Sequence, residues 1–155
     1  MRHKMSMVDV TPKPEIHREA TAKGQIRLRS ETVRLIRERR VEKGDPFYTA
    51  KIAGILAAKN TSMLIPLCHP IPLTNVNIEV KIVDENTVEV ESTVKAKAKT
   101  GVEMEALVAT ATALLTIWDM VKKYEKDAEG QYPITLIQNI RVIKKVKNEL
   151  ERNGG

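Results

Sequence analysis

The segment KTGVEMEALVATATALLTIWDMVKKYEKD, residues 99–127, constrains the fold more than any other part of this chain. It is apolar or small for more than three turns, so it reads as a helix that must be buried on more than one side. In a chain of 155 residues that asks for packing against both a sheet and another subunit. Thr100-x-x-Glu103 has the spacing of a capping box, which predicts the helix start and accounts for Glu103. Glu105 has no such account. Glu103, Glu105 and Asp119 within the segment argue against a membrane span, and the N-terminal residues MRHKMSMVDV lack the apolar core of a secretory signal.

The rest of the chain supplies the sheet. Residues 1–20, punctuated by Pro12 and Pro14, read as an irregular arm that orders only against something else, and residues 148–155 as a flexible tail. Between them, 21–147 read as a single α+β domain. Ile26 and Leu28 alternate with polar neighbours, predicting a strand over 21–29. Ser30 is a candidate cap for a short basic helix reaching Arg40. Gly44 turns the chain, Asp45 is a natural N-cap and Pro46 suits the first helical position, so a second helix runs from 46 to 59. Val76, Ile78, Val80 and Ile82 alternate with Asn77, Glu79 and Lys81. After an Asp84-Glu85-Asn86 turn, Val88, Val90, Val94, Ala96 and Ala98 hold one parity and charged residues the other, which is a long hairpin. The last strand, ITLIQNIRVIKKV, is apolar at Ile134, Leu136, Ile140 and Val142. The order strand, helix, helix, hairpin, long helix, strand predicts an α+β, ferredoxin-like fold: an antiparallel sheet covered on one face by helices.

Composition narrows the chemistry. A formal net charge of +6 invites a polyanion, either a nucleic acid or a small phosphorylated ligand. Only five aromatic residues occur, without the pattern that stacks unpaired bases, so nucleic acid takes second place. One cysteine excludes an internal disulfide and a cysteine-only cluster, which fits a reducing cytoplasm.

Several residues invite a functional reading. Lys43 precedes a helix N-terminus, where the dipole already favours anions, although from the residues alone an ordinary turn lysine is the favoured reading. Lys95, Lys97 and Lys99 form a period-two row, either a solvated sheet face or an anion site. Asp119 lies between Trp118 and Met120, where burial would be costly, and Lys122 three residues on shares its face. The two are either a local ion pair or an acid/base pair tuned by each other and by burial. In SMLIPLCHPIPL, residues 62–73, adjacent Cys68 and His69 in an extended segment would point to opposite sides, which disfavours both a metal site and a Cys-His nucleophile pair. That stretch is either a buried crossover or the wall of a site.

The runs KGDPFYTAKIAGILAAKNTSMLIPLCHPIPLTNV and KTGVEMEALVATATALLTIWDMVKK, with a leading SMVDVTPKPEIHREATAKGQIRLRSET, strongly resemble the molybdenum-cofactor biosynthesis protein C family, the cyclic pyranopterin monophosphate synthases. The resemblance implies a cytoplasmic lyase that converts a cyclised dihydroguanosine triphosphate, made from GTP by a separate radical enzyme, into cyclic pyranopterin monophosphate and pyrophosphate. It implies a homohexamer, a trimer of dimers, with sites between subunits. Onto matching positions it carries Leu67, Cys68, His69, Met104 and Glu105 as substrate contacts, Asp119 as a catalytic residue, and Lys122 and Lys43 as its partners in proton transfer. Lys13, Arg18 and Lys59 match basic positions that would meet the triphosphate. The chain departs from many relatives after residue 127, where AEGQYP is inserted. Lys145 is the equivalent of a lysine preceding the family's glycine-rich tail, with Lys144 as the alternative. No metal site or resident cofactor is implied, although Mg2+ would suit the triphosphate itself.

On this reading a lysine of lowered pKa beside a carboxylate moves protons on the ring, while His69 and the basic residues grip the phosphates. The prolines around His69 would brace that segment. An RNA-binding module and a non-catalytic nucleotide-binding regulatory domain are the competing classes.

Overall fold

The computed structural model describes residues 3–148. The chain runs β1 (Ile16–Arg27), α1 (Ser30–Arg37), α2 (Pro46–Lys59), α3 (Thr61–Leu64), β2 (Asn75–Asp84), β3 (Thr87–Ala98), α4 (Glu103–Glu125) and β4 (Leu136–Asn148). The four strands pair antiparallel in the order β2-β3-β1-β4, with the helices packed on one face. This is the ferredoxin-like arrangement that the alternation of elements predicts.

The core lies between sheet and helices. Ala20, Ala22 and Ile26 of β1, Val88, Val90 and Val94 of β3, and Ala106, Ala109, Ala113, Leu114, Ile117 and Val121 of α4 are all buried in it. Alanines on α4 let α2 come close. At Gly54 of α2 an added Cβ would strike the Ile78 side chain and approach the Ala109 carbonyl oxygen to 3.1 Å. The length and hydropathy of α4 would suit a membrane span, yet half of its most apolar window is buried against the sheet and α2. It is a core helix. Its far side and that of α2 leave Tyr48, Ile52, Leu56 and Leu115 exposed, beside Met63 and Leu64 of α3.

Asp45 caps α2 as expected, accepting from the N–H groups of Phe47 and Tyr48, with Pro46 in the first turn. Other boundaries differ from the sequence reading. β1 begins at Ile16, taking in residues 16–20 that read as arm, because Ile16, Arg18 and Ala20 continue the buried parity across from β3. Part of the expected tail, 149–155, lies outside the described residues. Ser30 is not the cap of α1. Arg29 stands at the cap position, and both oxygens of the fully buried Glu125 accept from its N–H at 3.1 Å. Thr32 and Thr135 donate their hydroxyls to the same carboxylate. The last turn of α4 therefore caps the first turn of α1. That helix ends at Arg37, and Arg39 takes a left-handed φ of 57°.

The capping box does not form either: Val102 is the cap residue of α4 and no side chain bonds there. β4 begins at Leu136 rather than Ile134, and register shifts opposite β1 break its simple alternation. Ile137 thereby pairs with Ile26, while Leu136 and Ile140 stay partly exposed.

Candidate active site

A pocket of about 410 Å³ opens beside the N-terminus of α4. Its walls come from three segments: the arm, with Val8, Val10 and Lys13; the Leu67-Cys68-His69 segment; and the start of α4, with Glu103, Met104 and Glu105. The stretch SMLIPLCHP is not extended, as the sequence suggested. It forms α3 and then a turn closed by the Cys68 N–H on the Ile65 carbonyl oxygen at 3.1 Å. Cys68 and His69 consequently line the same pocket instead of diverging. His69 Nε2 lies 2.7 Å from the Val8 carbonyl oxygen, which puts a proton on that nitrogen and ties the arm across the site. Lys99 Nζ holds the arm again, at the Thr11 carbonyl oxygen.

Burial raises the pKa of Cys68 and Glu105 in this pocket. Burial, reinforced by the charge of Glu105, pushes the Cys68 thiol up, so it is no thiolate nucleophile. Glu105, only 4% exposed, is likewise pushed up by burial, with the Glu103 charge assisting and its own backbone N–H opposing. A carboxyl so placed holds a proton more readily than an exposed one.

An adjoining pocket of about 420 Å³ shares Lys13, Thr100, Gly101 and Glu103 with the first. It is basic: Lys13, Arg18, Lys145 and Lys147 line it. Arg18 is buried, its Nε 3.3 Å from the Ala98 carbonyl oxygen and its Nη2 3.2 Å from that of Lys99. Those bonds fix the guanidinium at the end of β3. Lys145 Nζ sits 2.7 Å from Glu103 Oε1. Glu103 is thus explained by an ion pair rather than by capping.

The third group stands at the other end of α4. Lys122 Nζ lies 3.0 Å from Asp119 Oδ1, and Lys43 Nζ lies 3.5 Å from Oδ2 and 2.9 Å from the Asp119 carbonyl oxygen. Lys43 is held there because its loop is tied to α4, the Tyr124 hydroxyl accepting from the Glu42 N–H at 2.8 Å. Sequence suggested burial and a lysine of lowered pKa. The structure places the Asp119 and Lys122 side chains 61% and 43% exposed, facing away from the core. The hydrogen bond and charge of Asp119 raise the Lys122 pKa, and those of Lys122, with the charge of Lys43, lower that of Asp119. In this chain the pairing with Asp119 therefore holds Lys122 in its charged form.

The structure therefore brings together Leu67, Cys68, His69, Met104 and Glu105 in one pocket and Arg18 and Lys145 in the next, with Lys13 between them. His69 lines the less basic pocket and not the basic one. Lys59 ends α2 and lines neither pocket, and Lys144 pairs with Thr21 on the opposite sheet face. Lys95 and Lys97 also sit on that face, opposite Glu19 and His17. Lys147, Val8 and Val10 went unread in the sequence. Lys147 repeats Lys145 at the strand period, a signal that was available. Val8 and Val10 meet the site through the fold of the arm, which leaves no local pattern.

The MoaC family model matches residues 7–148. The chain is 61% identical over 141 residues to a probable cyclic pyranopterin monophosphate synthase of Sulfurisphaera tokodaii, covering 91% of this chain and 93% of that protein. It is 57% identical to the protein of that name from Sulfolobus acidocaldarius, covering 92% and 99% respectively. The protein from Pyrococcus abyssi, named likewise, is 56% identical, over 92% of this chain and 89% of its own length. With the family model spanning both pockets and the Lys43-Asp119-Lys122 trio, this chain belongs to the MoaC family.

Proposed function

We propose that the protein is a cyclic pyranopterin monophosphate synthase of molybdenum-cofactor biosynthesis, a lyase that takes a cyclised guanosine-derived triphosphate and releases pyrophosphate. The observation that carries this reading is the pair of contiguous pockets, one partly apolar with a buried carboxyl and one basic, meeting at Lys13 and Glu103. The basic pocket suits a triphosphate, since buried Arg18 and the lysines offer charge-assisted donors from separate strands and the arm. The other suits the ring system. Leu67, Ile71 and Met104 give it apolar walls, while the Cys68 thiol and the Glu105 carboxyl, both pushed up by burial, supply hydrogen-bonding groups.

Proton transfer falls to the trio at the far end of α4. On this reading Asp119 orients Lys122, and Lys122 and Lys43 exchange protons with the guanine-derived ring. Binding must first loosen the Asp119–Lys122 pair, because that pair raises the Lys122 pKa and makes it the weaker acid. Glu105 and Asp119 are 14 residues apart on one helix, about 21 Å along its axis at 1.5 Å per residue. A proton carrier must come within about 3 Å of its atom. One small molecule is served by both groups only when a second copy lays the C-terminal half of its α4 against the first copy's pocket.

The exposed apolar residues Tyr48, Ile52, Leu56, Met63, Leu64 and Leu115 favour such a contact, and Leu67 joins that set to the pocket. A homohexamer built as a trimer of dimers, each site shared between chains, follows on this reading, in the cytoplasm and without a nucleic-acid partner. The reaction asks for no resident cofactor; Mg2+ would arrive on the triphosphate, whose oxygens are hard ligands.

The test is turnover of the purified cyclised triphosphate, reading pterin product and pyrophosphate separately. Release of neither by the intact protein would end the assignment. Refolding Lys122→Ala chains with Arg18→Ala chains tests the shared site. At substrate well below KM, where both parent variants are nearly inactive, random pairing in dimers should restore about a quarter of wild-type activity, because half the dimers are mixed and one of their two sites is intact. No restoration would place the whole site within one chain.

A further inference from the structure

Glu103 occupies an unusual place for a carboxylate in a site meant for phosphates. It is the first residue of α4, a helix of 23 residues whose free N–H groups already favour an anion there. Its side chain curls back: a Cβ built on Gly101 would run into both of its oxygens. Oε1 then meets Lys145 Nζ at 2.7 Å, and the side chain lines both pockets at their junction. Burial works against its charge, but Lys145, its own backbone N–H and the charge of Arg18 outweigh that and hold the carboxyl below its ordinary value. Each of these partners is a group that a phosphate oxygen would seek.

We propose that Glu103 is an internal stand-in for a phosphate: in the empty site its carboxylate takes the seat of one phosphate of the incoming triphosphate, and binding dislodges it. This rests on reading the basic pocket as the polyphosphate seat. Two consequences follow. The site keeps Lys145 neutralised and placed while empty, so a nonreactive anion must displace Glu103 before it can settle. When the α-phosphorus has been cyclised and the pyrophosphate remains, the returning carboxylate competes for Lys145 and the helix N-terminus and hastens release. Apparent polyphosphate affinity is reduced by the fraction of molecules in which the seat is taken.

The experiment is calorimetric titration of inorganic pyrophosphate into the full-length protein and into two variants. Glu103→Gln keeps the shape and removes the ion pair with Lys145. Gly101→Ala changes no charge but pushes the carboxylate out of its seat, which separates displacement from a mere change in net charge. Both variants should bind pyrophosphate about three- to tenfold more tightly, the range expected when a half-exposed competing ion pair is removed. Stronger product inhibition by pyrophosphate should accompany this. Unchanged or weaker binding in both variants overturns the stand-in and leaves the basic pocket's role intact. If none of the three proteins binds pyrophosphate while all remain folded by circular dichroism, the reading of the basic pocket falls with it.

Discussion

The two ends of α4 hold carboxylates in opposite conditions. Glu105, at the N-terminal end, is sealed inside one chain and pushed toward its protonated form, whereas Asp119, towards the C-terminal end, is exposed and held ionised by two lysines. Burial decides the first and charge pairing the second. The N-terminal end has its walls already, from arm, turn and strand. The C-terminal end has its ion-paired groups out in solvent. One chain thus carries a half with two pockets and a half with an exposed charged trio, and these do not meet along their own helix.

The largest expected effect separates the halves most sharply. Lys122→Ala should lower product formation by about two to four orders of magnitude, the usual worth of a general acid or base, while leaving pyrophosphate binding in the basic pocket unchanged. A parallel loss of pyrophosphate binding would join the two ends and break the distinction. Arg18→Ala should do the reverse. It removes a buried charge-assisted contact, so KM should rise about ten- to a hundredfold with a smaller change in kcat.

A milder change tests the buried carboxyl. Raised above its ordinary value in the folded state, Glu105 binds its proton more tightly there than in the unfolded chain. Its contribution to stability is therefore full below the ordinary carboxyl range and is lost as pH rises through the folded value. Glu105→Gln mimics the protonated form, so at neutral pH its Tm should rise by about 2–4 °C, and the gain should vanish in acid. A lower Tm at pH 7 would show that the carboxylate is ionised and paired. Smallest of all, Lys59→Ala should leave KM within twofold of wild type, since Lys59 lines neither pocket. A rise comparable to that of Arg18→Ala would extend the phosphate seat to the end of α2.

Elements whose cause is local were legible in the sequence. Asp45-Pro46 set the start of α2 and Asp84-Glu85-Asn86 turned the hairpin, because cap and turn residues act on N–H groups two or three positions away. Where a distant side chain decides, the local rule failed. Ser30 lost its role to Glu125, and Glu103 was drawn from its expected cap to Lys145 on β4. The protonation of Lys122 was misread for a related reason. Trp118 and Met120 suggested burial, but Asp119 and Lys122 share a face of α4 that points away from the sheet. The residues of the site came mostly from resemblance. Their division into two pockets and a remote trio came only from the fold.

Glu125, buried under the first turn of α1, has a consequence for how the enzyme ages in heat. It fastens α4 to α1, and one residue earlier Tyr124 fastens α4 to the loop that carries Lys43. The trio is open to solvent yet mounted on the core. Many exposed catalytic groups drift out of alignment well before a protein melts. Here inactivation should track the cooperative melting curve, so that the working temperature of the chemistry and the survival temperature of the fold are the same number.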